Sequence, residues 1–261
     1  GMFYEGTATR LRRQVEECLP PPPRASARRF VGAVAPHAGL MYSGHVAGAL
    51  YAELELPRRF IILCPNHTGL GTEASINSSG AWRTPLGDVR VDEPLARAIV
   101  AEAPFVREDE LAHAREHSLE VQLPFLQILA EEFTFVPLCL SLPTFERTAA
   151  LGRAVAAAVR GAGEPVGIIA SSDLNHYENQ ETTLRKDGEA IERLLALDAE
   201  GLWRTVREKN ISMCGYIPAT AMLVAANELG ASSASLVRHA TSGDVTGDYS
   251  AVVGYAAIAV A

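Results

Sequence analysis

The chain has 261 residues, of which 48% are hydrophobic, 21% charged and 7% aromatic, a composition that excludes disordered, fibrous and low-complexity proteins. Its 31 acidic and 23 basic residues give a net charge of −8, which argues against nucleic acid or an anionic membrane as a partner. The four cysteines, at positions 18, 64, 139 and 214, lie too far apart for a zinc ribbon or a disulfide scaffold.

In the first half of the chain, short apolar runs alternate with helical patterns. Asp92 is expected to cap a helix that has Pro94 near its first turn. The predicted elements are, in order, a surface helix at 10–17, a stiff proline spacer at 20–23, a strand at 30–35, a helix at about 43–54, a strand at 60–64, a hairpin at 82–91 and a helix from 92 to about 103.

The second half continues this alternation. Its predicted elements are a helix at 118–131 with a kink at Pro124, strands at 133–138 and 166–170, helices at 146–160, 181–197, 199–209 and 218–229, and strands at 235–239 and 251–260. We therefore predict one α/β domain over residues 2–261, with a mixed or mostly parallel sheet flanked by helices on both faces.

The sequence predicts neither a membrane-spanning segment nor a signal peptide. The apolar run at 251–261 is shorter than the about 20 residues that cross a bilayer. The N-terminus has no charged start followed by a long apolar segment, so a signal peptide is not predicted. We expect a cytoplasmic protein that contacts no membrane.

Three of the seven histidines follow predicted strands. His37 comes after 30–35 in PHAG, His67 after 60–64 in PNHTG, and His176 after 166–170 in SSDLNH. Ligands of α/β proteins bind beyond the carboxyl ends of strands, and imidazole binds iron, copper, zinc or nickel. Although a single histidine is more often a structural residue, the three together predict a metal site, with His37 and His67 as the strongest pair.

The segment ELAHAREHSLEVQ at 110–122 adds further candidates. Its two histidines are four residues apart, but the order HAREH lacks the glutamate position of the HExxH metallohydrolase motif. The alternative is a helix start with acidic residues near its positive end. We expect Glu116 and His117 to form a wall of the site, as hydrogen-bonding or acid–base groups, and expect His113 at the surface. His45 and His239 are also expected to be ordinary.

The cysteines divide into three groups. Cys64 and Cys139 lie in apolar runs and are expected in the core, whereas Cys18 is expected at the surface. Cys214 precedes the helix at 218–229, and a helix N-terminus lowers the pKa of a thiol and favours the metal-binding thiolate. The alternative for Cys214 is a half-buried structural cysteine.

Seven motifs in order resemble those of the Memo family, whose prokaryotic members are also called AmmeMemoRadiSam system protein B. They are VAPHAGLMYSG, CPNHTG, WRTPLG, EHSLEVQLPFL, SSDLNHY, MCGY and TSGDVTGDYSAVVGYAA. The resemblance implies a fold like that of the class III extradiol dioxygenases, which are non-haem iron enzymes. It also implies that His37, His67 and Cys214 bind the metal, with Asp173 and His176 beside it.

The function expected from this resemblance is that of a non-haem metal protein of redox or dioxygenase-like type with an unknown small substrate. Fe(II) is the expected metal, and copper or zinc are the alternatives. Extradiol dioxygenases hold iron with two histidines and a carboxylate, so Cys214 in the third position means that ring cleavage is not implied. Asp173 and His176 would position substrate or move protons, with Glu116 and His117 behind the ligands.

Other functions stay open at this point. The same cleft would suit a peptide or phosphopeptide in a binding module without catalysis. A metal-free hydrolase would use Asp173 with His176, or Cys214. The family name further implies a partnership with a radical-SAM protein and an AMMECR-type protein.

Overall fold

Eleven strands and nine α-helices occur in residues 1–21, 27–130 and 132–261, the parts of the chain that the computed structural model describes. The strands are β1 (Gly32–Ala35), β2 (Arg59–Pro65), β3 (Ala74–Ile76), β4 (Ala81–Thr84), β5 (Gly87–Val91), β6 (Arg107–Glu108), β7 (Thr134–Leu140), β8 (Gly167–Ser171), β9 (His176–Glu178), β10 (Ala234–Thr241) and β11 (Val252–Val260). The helices are α1 (Ala8–Cys18), α2 (Leu40–Glu53), α3 (Glu93–Glu102), α4 (Leu123–Leu129), α5 (Phe145–Gly161), α6 (Gln180–Leu195), α7 (Ala199–Glu208), α8 (Tyr216–Glu228) and α9 (Gly243–Thr246).

The strands form one mixed sheet with the order β10-β11-β1-β8-β2-β7-β3-β6. Its centre is parallel, because β1 pairs with β8, β8 with β2 and β2 with β7 in the same direction. Antiparallel strands flank this centre, β11 beside β1 and β3 beside β7. The parallel pairing brings the carboxyl ends of β1, β8 and β2 to one edge of the sheet.

Successive residues of the central strands pack into two different cores. In β2, Ile61 and Leu63 pack with α3, α5, α6, α7 and α8, whereas Phe60, Ile62 and Cys64 pack with α1, α2 and α4. This alternation follows from the two-residue repeat of a strand, and it buries both faces of the sheet. The predicted α/β fold, with a mixed sheet and helices on both faces, is confirmed, as is the core position of Cys64 and Cys139.

Of two predicted local features, the cap of α3 and the kink at Pro124, the structure contains the first and not the second. The cap of α3 is confirmed, because the Asp92 carboxylate accepts a hydrogen bond from Leu95 N at 3.1 Å. The kink predicted at Pro124 is wrong. A 3-10 turn, Glu120–Gln122, precedes α4, and Pro124 lies in the first turn of that helix, where its missing N–H breaks no helical bond. Part of the predicted spacer, residues 22 and 23, lies outside the described residues.

The prediction that Cys18 lies at the surface is wrong. Leu11, Val15 and Cys18 form one buried face of α1, at helical spacing, and this face packs against α2. A Cβ atom at Gly44 of α2 would lie 2.4 Å from Cys18 Sγ, so the glycine permits the close approach. The charged residues of α1 hid this short apolar stripe from the sequence analysis.

Candidate metal centre

The parallel strands β1, β8 and β2 deliver four of the predicted site residues to one edge of the sheet. His37 follows β1, His67 follows β2, and Asp173 and His176 follow the middle strand β8. All four line the same cavity. The location predicted for His37, His67 and His176, beyond the carboxyl ends of three strands, is confirmed.

The His37 ring is buried and fixed in one tautomer. Its Nδ1 lies 2.9 Å from Ser171 Oγ, and that hydroxyl donates its own hydrogen to the Ser118 carbonyl at 2.6 Å. Gln122 Nε2 donates to the same hydroxyl oxygen at 2.8 Å. Because the hydroxyl hydrogen is already used, His37 Nδ1 must be the donor to Ser171, and His37 Nε2 keeps an unprotonated lone pair.

The His67 ring is fixed by a carboxylate. Glu116 Oε1 accepts from His67 Nδ1 at 2.9 Å, and Glu116 Oε2 accepts from the His67 backbone N–H at 2.7 Å. Burial opposes ionisation of Glu116, but hydrogen bonds from His67 and from the side chain and backbone of Ser118 lower its pKa to about 2. An ionised Glu116 accepts only, so His67 Nδ1 carries the proton and its Nε2 is free to bind a metal.

A third imidazole, that of His117, completes a cluster. Potential ligand atoms of His37, His67 and His117 all lie within 4.8 Å of one another. The His117 ring stacks between Phe3, at 3.9 Å, and His67, at 5.0 Å between centroids. Burial, with the neighbouring imidazoles, lowers the pKa of His37 well below its usual value, and burial likewise lowers the pKa of His117. Neutral imidazole is the metal-binding form, so this cluster is suited to hold a metal ion.

Cys214 lies beside the cluster, with its Sγ 3.3 Å from His37 Nε2. Gly215 permits this position, because a Cβ there would lie 2.4 Å from Ser172 Cβ. The prediction that the helix N-terminus lowers the pKa of the Cys214 thiol is wrong for the metal-free protein. Burial, with the negative charge of Asp173, raises the pKa of Cys214. The thiol is therefore protonated unless a cation binds next to it.

Asp173 and His176 line the same cavity as His37, and Asp173 is hydrogen-bonded to the His37 loop. Asp173 Oδ1 accepts from the backbone N–H groups of His37 at 2.8 Å and Ala38 at 3.3 Å, and its Oδ2 lies 4.0 Å from His37 Nε2. Burial raises the pKa of Asp173, although these hydrogen bonds oppose the shift. His176 Nδ1 donates to the Ser212 carbonyl at 2.8 Å, which leaves Nε2 of the neutral ring as an acceptor.

These side chains surround an open cavity of about 800 Å³. The polar residues of its wall include the three imidazoles of the cluster, His176, Cys214 and Asp173. The aromatic residues of the wall are Phe3, Tyr42, Tyr177 and Tyr255. His117 lines the cavity as predicted, but the predicted place of Glu116 in the wall is wrong, because Glu116 lies behind His67 and does not line the cavity. The cavity is large enough for a small organic molecule.

The other histidines do not join the cluster. His113 is buried and packs against Trp82 at 5.5 Å, so its predicted surface position is wrong. The segment around it forms turns rather than a helix, and these turns direct His113 and His117 to different places. His239 Nε2 pairs with Asp187 Oδ2 at 2.8 Å, and His45 is exposed on α2.

Almost the entire chain matches one known protein family. The family described as Memo-like protein matches residues 1–259. The chain belongs to the Memo family. A MEMO1 family protein of Methanothermobacter thermautotrophicus is 46% identical over 98% of this chain and 96% of its own length. Those of Methanopyrus kandleri and Sulfolobus acidocaldarius are each 43% identical, over 99% of this chain and 95% and 96% of their own lengths.

A solved structure supports the fold of this Memo family protein. An uncharacterized protein of Escherichia coli K12 superposes with a TM-score of 0.57, over 88% of this chain and 100% of that chain, at 14% sequence identity. This likeness concerns the fold alone. Within the described residues of the chain, no helix is long and apolar enough to cross a membrane.

Several residues that shape this Memo site were missed by the sequence analysis. Ser171 orients His37, Ser118 supports Glu116, and Phe3 stacks on His117. Ser118 lies in the EHSLEVQ stretch that carried the family resemblance, which was the one available signal; Gln122 of the same stretch was among the candidates, and it donates to the Ser171 hydroxyl oxygen. Phe3 lies 114 positions from its partner in the chain, and no spacing rule links them.

Proposed function

We propose that this Memo family protein is a non-haem metal protein that supports redox chemistry, of dioxygenase-like type, on a small substrate. One observation carries the proposal. The rings of His37 and His67 each donate Nδ1–H to a built acceptor, so that both keep an unprotonated Nε2 at the same cavity. Metal-binding histidines usually carry such an outer hydrogen bond, which fixes the ring and raises its basicity.

We propose Fe(II) as the metal, with copper or zinc as alternatives. His37 and His67 supply two ligands, and Cys214 is the third that the family resemblance implies. The raised pKa of the Cys214 thiol favours its protonated form, but a cation bound to His37 Nε2 would lie beside the sulfur and favour the thiolate. His117 supplies a third imidazole of the cluster, and three imidazoles also suit iron, zinc or copper.

The remaining residues would act on the substrate. When bound, Fe(II) would supply Lewis acidity and one-electron chemistry. His176, with Nδ1 held by the Ser212 carbonyl, is arranged to accept a proton at Nε2 from a substrate hydroxyl. Asp173 holds the His37 loop through two backbone N–H groups and lines the cavity, where its carboxyl group is placed to orient a polar substrate group.

The test is metal loading and oxygen uptake under controlled atmosphere. Protein purified without oxygen and reconstituted with Fe(II), Cu(I) or Zn(II) is analysed for bound metal, and then for oxygen consumption with catechols. We expect His37→Ala and His67→Ala to lose metal, while His45→Ala, a histidine exposed on α2, retains it. If the reconstituted parent protein bound less than about a tenth of an equivalent of each of the three metals, the proposal would be contradicted.

The peptide or phosphopeptide alternative is less well supported by the cavity. Asp173 and Asp248 line it, and no lysine or arginine does so among the described residues. Phosphate recognition normally uses Arg clusters or helix N-termini. Titration of a phosphotyrosine peptide into metal-free and metal-loaded protein compares the two functions. Tight binding without metal would favour the binding module.

The metal-free hydrolase is disfavoured by the state of the Cys214 thiol. Its raised pKa leaves little of the thiolate that would attack a substrate. If such hydrolysis occurs, Cys214→Ser should abolish it without changing metal content.

Cellular context also belongs to the proposal. The four cysteines are free, and we propose a reducing cytoplasm, which would keep the Cys214 thiol available. The radical-SAM and AMMECR-type partners implied by the family name remain predictions. Co-purification from the native host is the experiment that tests them.

A further inference from the structure

The four histidines of the cavity are not held in the same way. Nδ1 of His37 is bonded to Ser171 Oγ, Nδ1 of His67 to Glu116, and Nδ1 of His176 to the Ser212 carbonyl, all at 2.8–2.9 Å. For His117, the closest acidic oxygen is Glu116 Oε1 at 3.6 Å from Nδ1, which is too far for a hydrogen bond. Within the described chain, the His117 ring has no hydrogen bond that sets its orientation.

Stacking takes the place of that bond. The His117 ring is nearly parallel to the Phe3 ring, with 9° between the planes and 3.9 Å between the centroids. On the far side, it is 23° from the His67 ring at 5.0 Å. Three rings therefore form one stack, in which the outer members are Phe3 and His67 and the middle member is His117.

Phe3 is itself anchored. Its carbonyl oxygen accepts from Leu40 N, at the start of α2, at 2.8 Å. The next residue, Tyr4, donates its hydroxyl hydrogen to Glu120, which lies three residues after His117. The backbone that carries the Phe3 ring is thus tied to α2 and to the segment that carries His117.

We infer that Phe3 is a positioning residue of the metal centre. Its ring fixes the plane of His117, so that this imidazole stays with those of His37 and His67. The inference rests on the proposed metal function. Hydrogen-bond acceptors orient the rings of His37, His67 and His176, whereas Phe3 of the N-terminal segment orients the ring of His117. The histidine ring that Phe3 stacks on is that of His117, and Phe3 acts through that residue.

The first experiment measures Co(II) affinity and the visible Co(II) spectrum in a double-mutant cycle. From the energy of an aromatic pair we expect Phe3→Ala to weaken Co(II) binding by about 3- to 10-fold and to change the d–d bands. Phe3→Trp, which retains a stacking face, should restore both, whereas Phe3→Leu should not. Met2→Ala is the matched control, because the neighbouring Met2 side chain is 91% exposed.

The decisive comparison uses the His117→Ala background. If Phe3 acts through His117, Phe3→Ala has no further effect on affinity or spectrum once His117 is removed. An equal loss in both backgrounds would overturn the inference, because it would show a general structural effect. Unchanged Co(II) binding by Phe3→Ala would overturn it too, while leaving the proposed metal function intact.

A metal-free measurement separates failure of this inference from failure of the metal proposal. Crystal structures of metal-free Phe3→Ala and Phe3→Trp are compared with the parent. We expect the His117 ring to rotate or to adopt several orientations in Phe3→Ala, while the rings of His37 and His67 stay in place. A His117 ring that keeps its plane without Phe3 would overturn the inference even if the parent protein bound no metal.

Discussion

Both carboxylate oxygens of Glu116 bind the same residue, one accepting from the ring Nδ1 of His67 and the other from its backbone N–H. The contact joins two segments far apart in the chain, the turn after β2 and the turns before α4. It sets the tautomer of His67 and the direction of its free Nε2 at once. The candidate metal centre therefore depends on a residue that does not line the cavity.

Replacement of Glu116 should weaken metal binding without removing a ligand. We expect Glu116→Gln to reduce Fe(II) or Co(II) affinity by about 10- to 100-fold, because an amide cannot accept both bonds with the strength of a carboxylate. Isothermal titration under nitrogen measures the change. Glu110→Gln, in the same segment but exposed, is the control and should match the parent protein.

Gly215 should be intolerant of a side chain. A Cβ at this position would lie 2.3 Å from the Ser171 carbonyl oxygen, so Gly215→Ala must displace the turn that carries Cys214. We expect a loss of about 1–3 kcal/mol in the free energy of unfolding, together with weaker metal binding. Gly188→Ala provides the contrast, since nothing lies within 4 Å of its Cβ position in α6. That variant should be as stable as the parent or more stable by about 0.5–1 kcal/mol, and urea unfolding compares the two.

Asp92 should make the free energy of unfolding depend on pH in the acid range. Burial opposes its ionisation, but bonds from Arg59, Leu95 and Thr134 lower its pKa below the usual value. A carboxyl group with a lowered folded-state pKa stabilises the protein above its unfolded-state pKa, about 3.9, and this stabilisation is lost as the pH falls through the folded-state pKa.

Asp92→Ala measures this contribution. At pH 7 we expect a loss of about 2–4 kcal/mol in the free energy of unfolding, from the broken pair with Arg59 and the lost helix cap. Below pH 3 the difference between variant and parent should shrink. A difference that stays constant from pH 7 to pH 2.5 would contradict the assignment, and chemical denaturation at each pH provides the values.

The charge of the cavity should select among aromatic ligands. Asp173 and Asp248 line it, and hydrogen bonds from Ser250 lower the pKa of Asp248. In metal-loaded protein we therefore expect dopamine to bind better than catechol, and catechol better than 3,4-dihydroxyphenylacetate, by about fivefold per step. Asp248→Asn should reduce the preference, while Asp88→Asn, which is remote from the cavity, should not. Equal affinities for the three ligands would refute the prediction.

Much of the fold followed from patterns within single segments. Long buried runs such as β2 and β7 and the capped helix α3 carry their signals locally, and the structure has them within a few residues of the predicted positions. The short strands β3, β6 and β9 were not predicted. Each has two or three residues, so its pairing depends on a neighbour that no local pattern names.

In the candidate site too, the residues placed by the order of elements were predictable, whereas those that depend on contacts between distant segments were not. His37, His67 and His176 were predictable because strand ends converge in a parallel sheet, a rule that needs only the order of elements. The raised pKa of the Cys214 thiol was not, because it follows from burial by other segments and from the charge of Asp173, which another loop brings close. The stacking of Phe3 on His117 was hidden for the same reason, since it joins the N-terminus to the middle of the chain.

The most direct test of the metal centre is anomalous diffraction from crystals loaded with Fe(II) under nitrogen, recorded on both sides of the iron absorption edge. We predict one strong peak at about 2.1 Å from Nε2 of both His37 and His67, a typical metal–imidazole distance, with His117 or Cys214 close enough to be a further ligand. No peak at this position, or iron bound elsewhere on the protein, would contradict this prediction.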